Sequence, residues 1–219
     1  LAEMGEFSLM IAHEFKNPLS IIKSSLDVLK TEAALSSDNT MVFYMEDEIT
    51  RLNRLIQDFL TFARPITPSF EQTDLNALLA EIVARSELQQ NGISHDIRTD
   101  IPAEPCYGSV DPDLLIRAIG NVVKNAFDVN GPKCAVQVRA SRLADVWKVE
   151  IADDGEGIAP ENLDKIFTPF FTTRTKGAGL GLAYASQAIK VHNGVIGAEN
   201  KPEGGALFRI EIPVQPSLE

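Results

Sequence analysis

The sequence VWKVEIADDGEG, residues 146–157, joins a strand pattern to a glycine-rich turn. Apolar and polar residues alternate over Val146–Ala152, which predicts a β-strand with one buried face. Asp153-Asp-Gly-Glu-Gly157 follows at once, and its glycines permit backbone conformations that are closed to other residues. A carboxylate fixed there could accept a hydrogen bond from an exocyclic amine such as that of adenine. The motif is short, so an ordinary turn stays the alternative explanation.

Short strands and helices alternate on both sides of this motif. Adjacent strands joined by short turns, together with interspersed helices, predict an α+β sandwich with a mixed sheet. The pattern places strands near residues 69–73, 93–99, 106–110, 135–143, 146–152, 194–199 and 206–212, and helices over 75–90, 112–130 and 180–192.

A second glycine-rich segment, Gly177-Ala-Gly-Leu-Gly181, leads into the helix predicted over 180–192. Such a loop can present backbone N–H groups and the positive end of a helix to phosphates. A dinucleotide-binding GxGxxG motif fits poorly, because the third glycine comes one residue early and no βαβ unit surrounds it. The apolar stretch IFTPFF, residues 166–171, would anchor a mobile segment that covers phosphates.

Two asparagines on the helix predicted over 112–130 are candidate metal ligands. Asn121 and Asn125 are four residues apart and therefore lie on one helix face. Amide oxygens are suitable ligands for Mg²⁺, which keeps most of its waters and takes phosphate oxygens as partners. A solvent-facing Asn pair is the more common explanation for this spacing.

The first third of the chain has a different pattern, with apolar stripes at helical spacing from Met4 to Ala33 and from Met41 to Ala63. Pro65 and Pro68 mark a linker, which predicts domains over residues 1–66 and 67–219. An antiparallel helical hairpin with one stripe per helix cannot bury both stripes alone. We therefore expect a homodimer in which two hairpins form a four-helix bundle.

His13 is predicted to point outward, since it is two positions away from both Ile11 and Phe15 of the apolar stripe. Proline inside a helix costs about 3 kcal/mol, so Pro18 so close to His13 favours a functional role over a merely solvated side chain. A zinc motif of the HExxH type is excluded, because Asn17 stands where the second histidine would be.

The composition restricts the possible partners. The chain has 219 residues and a formal net charge of −11 without clustered Lys or Arg, which argues against nucleic acid and anionic membranes. Cys106 and Cys134 form no CxxC pair, which favours a reducing compartment. No apolar stretch approaches the roughly 18 residues of a membrane span, so we expect a cytoplasmic location; a membrane anchor in a longer parent protein stays open.

In chain order, the stretches HEFKNPL, NVVKNAFD, DDGEGI, FTPFFTT and GAGLGLA resemble the H, N, G1, F and G2 boxes of the sensor histidine kinases of two-component systems. The C-terminal part resembles the Bergerat-type ATP-binding fold shared with gyrase, Hsp90 and MutL. The N-terminal part resembles a dimerisation and histidine-phosphotransfer domain. The resemblance implies ATP and Mg²⁺ as cofactors, and a response regulator as partner.

The resemblance also implies roles for single residues. His13 would accept the phosphoryl group, Glu14 would assist proton removal, and Asn17 would serve a phosphatase activity towards the regulator. Asp153 would bind the adenine amine. The other implied nucleotide contacts are Asn121, Asn125 (which would also bind Mg²⁺), Gly155, Gly157, Gly177, Gly179, Gly181 and Leu182.

Two departures from the family pattern leave details open. Asp128 stands where some members carry a phosphate-binding Lys, so the cation for that role could be Lys124, Arg174 or Lys176. Ala178 replaces a common Thr. The alternatives to a histidine kinase are a gyrase-like ATPase, which would need a Glu general base where Asn121 stands, and a nucleotide-binding scaffold without kinase activity.

Overall fold

The computed structural model describes residues 19–28, 31, 40–88, 96–130, 135–174 and 178–214. The chain divides into two compact units. One comprises Leu1–Pro65 and Thr172–Leu180, and the other comprises Ile66–Phe171 and Gly181–Glu219. Among the described residues, no helix has the length and apolar character needed to cross a membrane.

The described residues between 19 and 63 are helical, as predicted. Helix α1 covers residues 19–28 and helix α2 covers Thr40–Ala63. Leu26 of α1 packs with Val42 and Ile49 of α2 in a buried apolar cluster. Other apolar side chains of both helices are exposed in the single chain: Ile21, Ile22, Val28, Phe43, Tyr44, Met45 and Leu52.

The second unit contains the remaining strands and helices. The strands are β1 (Glu71–Asp74), β2 (Asp96–Asp100), β3 (Tyr107–Val110), β4 (Ala135–Leu143), β5 (Val146–Asp153), β6 (Val195–Asn200) and β7 (Ala206–Pro213). The helices are α3 (Leu75–Leu88), α4 (Pro112–Asn130) and α5 (Gly181–Val191), with a 3-10 turn at Pro160–Asn162.

The main sheet has five strands in the order β2-β4-β5-β7-β6, and β1 and β3 form a small antiparallel sheet of their own. Strand β2 pairs parallel to β4, whereas the other neighbours in the main sheet pair antiparallel. The prediction of a mixed sheet is therefore confirmed. Helix α4 packs against β4 and β5 and also contacts α3 and α5.

The two faces of the main sheet differ in chemistry. Trp147, Val149 and Ile151 of β5 are fully or almost fully buried on the helix side. On the opposite face, charges of alternating sign follow one another from strand to strand across the whole sheet. They are Asp100 on β2, Arg139 on β4, Glu150 on β5, Arg209 on β7 and Glu199 on β6, with neighbouring charges 2.7 to 4.0 Å apart.

Glu150 lies at the centre of this row of charges. A hydrogen bond from Lys148, with a second one from Arg209, holds the pKa of the Glu150 carboxyl below its ordinary value. The carboxylate is therefore ionised at neutral pH. This face is polar across its width, so the buried core lies between the other face and the helices.

The observed bounds of the helices and strands agree closely with those predicted from the sequence, apart from small differences. Strand β5 continues through Asp153, one residue beyond the predicted end, and α5 begins at Gly181. Strand β1 begins at Glu71 rather than near Ser69, because the Ser69 N–H donates a hydrogen bond to Asp111 Oδ2 at 2.8 Å instead of joining a ladder. Nothing in the hydrophobic pattern predicted the 3-10 turn.

Candidate functional site

Asp153 is the last residue of β5, and the residue is only 4% exposed. Its Oδ1 atom accepts hydrogen bonds from the backbone N–H groups of Gly155 at 3.0 Å and Ala206 at 3.2 Å. These two donors fix the orientation of the carboxylate. Because both bind Oδ1, neither occupies Oδ2, which can accept a bond from a ligand donor.

Gly205, just before β7, meets the end of β5 backbone to backbone. Its φ of +83° lies in the left-handed region, and a Cβ atom there would overlap the carbonyl oxygen of Asp153. Glycine is therefore required for two reasons: its backbone conformation and its close approach to the Asp153 carbonyl group. Sequence reasoning missed Gly205 and Ala206: the Gly204-Gly205 pair signals a turn but does not indicate which strand end the turn contacts.

Gly157 also has a left-handed backbone, with φ of +80°. A Cβ atom on it would come within 2.7 Å of Asn200 Oδ1. The Asn200 side chain in turn binds the backbone of Ile158. Asn200 belongs to none of the sequence motifs, and it is 42 residues from Ile158. The role implied for Gly157, close approach of a base, stays a prediction.

The Asn121 side chain connects helix α4 to the start of α5. Asn121 Nδ2 donates to the Gly181 carbonyl oxygen at 3.2 Å, so two of the predicted motifs do meet. A Cβ at Gly181 would lie 3.6 Å from Asn121 Cγ, an ordinary van der Waals distance, so this contact does not itself require glycine. Asn125 is half-buried, one turn further along the same face of α4.

Two further predicted residues lie around the beginning of α5. Gly179 has a left-handed φ of +65°, which explains a glycine at that position. Leu182 is half-buried in the first turn of α5. The predicted positions His13, Glu14, Asn17 and Gly177 lie outside the described residues, and their roles stay predictions.

Arg117 and Tyr184 form a second link between α4 and α5. The Arg117 guanidinium carbon lies 4.3 Å from the centre of the Tyr184 ring, a cation–π contact. Tyr184 is 6% exposed, and burial raises the pKa of its phenol, so the side chain is neutral at ordinary pH. Arg117 precedes Asn121 by one helical turn, and both contacts therefore come from the same face of α4.

Metal and phosphate binding would depend on few protein groups. Within the described ranges, no cluster of three or more His, Cys, Asp or Glu side chains could hold a metal ion. Of the three candidate cations, Lys124 is exposed on α4, and the Arg174 backbone N–H donates to Thr172 Oγ1 at 3.1 Å. Lys176 lies outside the described residues. Amide oxygens, water and the ligand's own phosphates would have to complete a Mg²⁺ site.

Two residues outside the motifs, His192 and Cys106, are buried. His192 Nε2 accepts the backbone N–H of Asp111 at 2.9 Å, and Nδ1 lies 2.7 Å from the Ala188 carbonyl oxygen. Since the first partner can only donate and the second can only accept, the ring is neutral with its proton on Nδ1. This residue joins the start of α4 to the end of α5. Burial also raises the pKa of the Cys106 thiol.

The fold and the motif arrangement match two families of known domains. Residues 110–216 match the family described as "Histidine kinase-, DNA gyrase B-, and HSP90-like ATPase". Residues 3–68 match the "His Kinase A (phospho-acceptor) domain". The match over residues 110–216 confirms the ATP-binding family that the motif resemblance implied.

Individual relatives place the chain more narrowly. The sensor histidine kinase ZraS of Klebsiella oxytoca is 33% identical over 218 residues, which is 98% of this chain and 47% of that protein. The chain therefore spans about half the length of the curated relatives it matches. Its phospho-acceptor and ATPase domains are those of a histidine kinase catalytic fragment.

Solved structures agree with this placement. Full-length ShkA in complex with AMPPNP is 25% identical, with a TM-score of 0.76 over 98% of this chain and 47% of that one. The histidine kinase ThkA in complex with the response regulator protein TrrA is 26% identical, with a TM-score of 0.72 over all of this chain and 64% of that one.

Proposed function

We propose that this chain is an ATP-dependent protein-histidine kinase core that phosphorylates His13 and passes the phosphoryl group to an aspartate of a response regulator. One observation carries the proposal: α4 packs on β5, which ends at the anchored Asp153 carboxylate, while Asn121 of α4 binds the start of α5. The AMPPNP complex of ShkA and the regulator complex of ThkA support the nucleotide and the partner.

The described residues fit ATP at both of its ends. Asp153, held through Oδ1, has Oδ2 available to accept the adenine amine. The α5 N-terminus at Gly181 offers backbone N–H groups and a positive dipole end for phosphates. Gly155 would allow the base to approach, and Gly177, Gly179 and Leu182 would shape the segment next to the phosphates.

Magnesium also fits this site, through amide rather than carboxylate ligands. Asn125 would bind Mg²⁺ with Asn121 beside it, and phosphate oxygens and waters would complete the coordination. The metal would offset phosphate charge, which matters because the chain has a net charge of −11. We therefore expect Mg²⁺ to bind appreciably together with ATP but not alone.

At His13 the chemistry needs a neutral imidazole. With an ordinary pKa of about 6.5, histidine is mostly unprotonated at neutral pH and offers a nitrogen lone pair. A bond forms between this nitrogen and the γ-phosphorus while the bond to the oxygen of the departing ADP breaks. Glu14 would take the imidazole proton. Catalysis rests mainly on positioning and charge neutralisation.

The helical unit is proposed to form a homodimer, and the domains to meet at residues 66 and 67. The exposed apolar side chains on α1 and α2 support this, since two such hairpins can cover one another in a four-helix bundle. Sedimentation equilibrium of the chain should give twice the monomer mass of 23.9 kDa.

The decisive experiment is labelling with [γ-³²P]ATP and Mg²⁺. We expect acid-labile, alkali-stable label on the wild-type chain and none on His13→Gln, with both proteins binding ATP equally. Equal labelling of both would overturn the proposal. Steady phosphate release that persists in His13→Gln would instead favour a gyrase-like ATPase, and ATP binding without label would favour a scaffold.

A phosphatase activity towards the regulator is the finer part of the proposal and rests on Asn17. We expect Asn17→Ala to keep autophosphorylation and to slow dephosphorylation of the phosphorylated regulator. Phosphatase rates equal to those of the wild type would remove Asn17 from this role.

A further inference from the structure

The Asn200 side chain pairs with the backbone of Ile158 in both directions. Asn200 Oδ1 accepts the Ile158 N–H at 2.7 Å, and Nδ2 donates to the Ile158 carbonyl oxygen at 2.6 Å. A carboxamide carries the same donor and acceptor as a peptide group. The side chain at the end of β6 therefore binds Ile158 as a neighbouring strand would.

This pairing fits over Gly157 and no larger residue. A Cβ atom on Gly157 would lie 2.7 Å from Asn200 Oδ1 and 3.3 Å from Asn200 Cγ, and its φ is +80°. The shape of the loop and the position of Asn200 thus depend on each other. We therefore expect the loss of the Asn200 side chain to release the backbone of Gly157 and Ile158 from this position.

The β6–β7 hairpin holds the loop after Asp153 at two points. Asn200 and Ala206 are register partners that flank the turn of that hairpin. The Ala206 N–H binds Asp153 Oδ1, and the Asn200 side chain binds Ile158. Residues 153–158 are therefore fixed relative to each other by the β6–β7 hairpin, which lies about 50 residues later in the sequence.

We propose that Asn200 is a positioning residue for the adenine site: it holds the Gly157–Ile158 backbone at a fixed place relative to Asp153 and thereby sets the affinity for ATP. The inference rests on the proposed function, since it assumes that Asp153 receives the base. Asn200 acts on nucleotide binding and not on phosphoryl transfer. Its loss should therefore raise KM for ATP and leave kcat unchanged.

Two variants of Asn200 test this in different ways. Asn200→Ala removes both hydrogen bonds, whereas Asn200→Asp keeps an acceptor for the N–H but sets a carboxylate oxygen against the Ile158 carbonyl. Losing hydrogen bonds of this kind predicts an increase of about tenfold in the Kd and KM for ATP in both variants. Glu203→Ala, on the same hairpin with its side chain 71% exposed, is the matched control and should bind ATP as the wild type does.

The measurements are ATP titration calorimetry, autophosphorylation kinetics and urea unfolding of the full chain. A higher Kd and KM with unchanged kcat and an unfolding free energy close to that of Glu203→Ala support the inference. Unchanged affinity overturns it, and so does an affinity loss matched by a comparable loss of stability. A wild-type chain that binds no ATP would overturn the proposed function and the inference together.

Discussion

The two ends of the proposed nucleotide site are built in different ways. At the base end, defined by Asp153, Gly155, Gly205 and Ala206, backbone groups converge on one carboxylate and backbone meets backbone. At the phosphate end, defined by Asn121, Asn125 and Gly181, one side-chain hydrogen bond of 3.2 Å reaches α5. Backbone-built geometry tolerates little substitution, whereas contacts made by side chains can be exchanged one at a time.

The largest effect is expected where backbone meets backbone. Gly205→Ala should lower the free energy of unfolding by about 3 kcal/mol or more, because the new Cβ overlaps the Asp153 carbonyl oxygen and the positive φ adds strain. Gly204→Ala is the control: its φ is +101°, but nothing lies within 4 Å of the added Cβ, so we expect a loss of about 1 kcal/mol. Urea unfolding measures both. Equal losses of unfolding free energy in the two variants would show that the close contact between Gly205 and Asp153 contributes nothing to stability.

A smaller change at the base end should affect binding and not folding. Asp153→Asn keeps an oxygen for the Gly155 and Ala206 donors but removes the charge that would accept the adenine amine. A hydrogen bond to a charged group is worth about 1.5 to 3 kcal/mol, so the Kd for ATP should rise by a factor of about 10 to 150. The unfolding free energy should change by less than about 1 kcal/mol. Titration calorimetry with ATP checks this, and an unchanged Kd would remove Asp153 from adenine binding.

The smallest effect is expected at the phosphate end. Asn121→Ala loses its bond to the Gly181 carbonyl, a contribution of about 1 kcal/mol, so the Kd for ATP should rise about fivefold. Gly120→Ala on the same helix is the control, since nothing lies within 4 Å of the added Cβ. It should stabilise α4 by about 0.4 to 1 kcal/mol without changing the Kd. An effect of Asn121→Ala as large as that of Asp153→Asn would erase the contrast between the two ends.

Local pattern predicted much of the phosphate end. Helix α4 runs from Pro112 to Asn130, as the apolar spacing predicted, and the four-residue interval put Asn121 and Asn125 on one face. The loop glycine Gly181 also leads directly into α5. These features depend on residues close together in the chain, where helical periodicity and backbone preferences act directly.

Several contacts that complete the site were not predictable in this way. Ala206 is 53 residues from Asp153, Asn200 is 42 residues from Ile158, and Arg117 is 67 residues from Tyr184. No periodic pattern connects such positions. In the sequence, Gly205 looks like an ordinary turn glycine. Its contact with Asp153 becomes apparent only when β7 pairs with β5.

The sequence by itself determined the helices and most strand positions, the presence of the glycine loops and the family to which the chain belongs, because each is encoded in short-range spacing. Only the tertiary structure decided the strand order β2-β4-β5-β7-β6, and with it the meeting of the β6–β7 hairpin with the end of β5. The physical reason is that strand pairing is selected by burial and hydrogen bonding summed over the whole unit. The Ala206 donor that helps to orient Asp153 is therefore brought to it by the packing of the sheet, whereas the Gly155 donor is local.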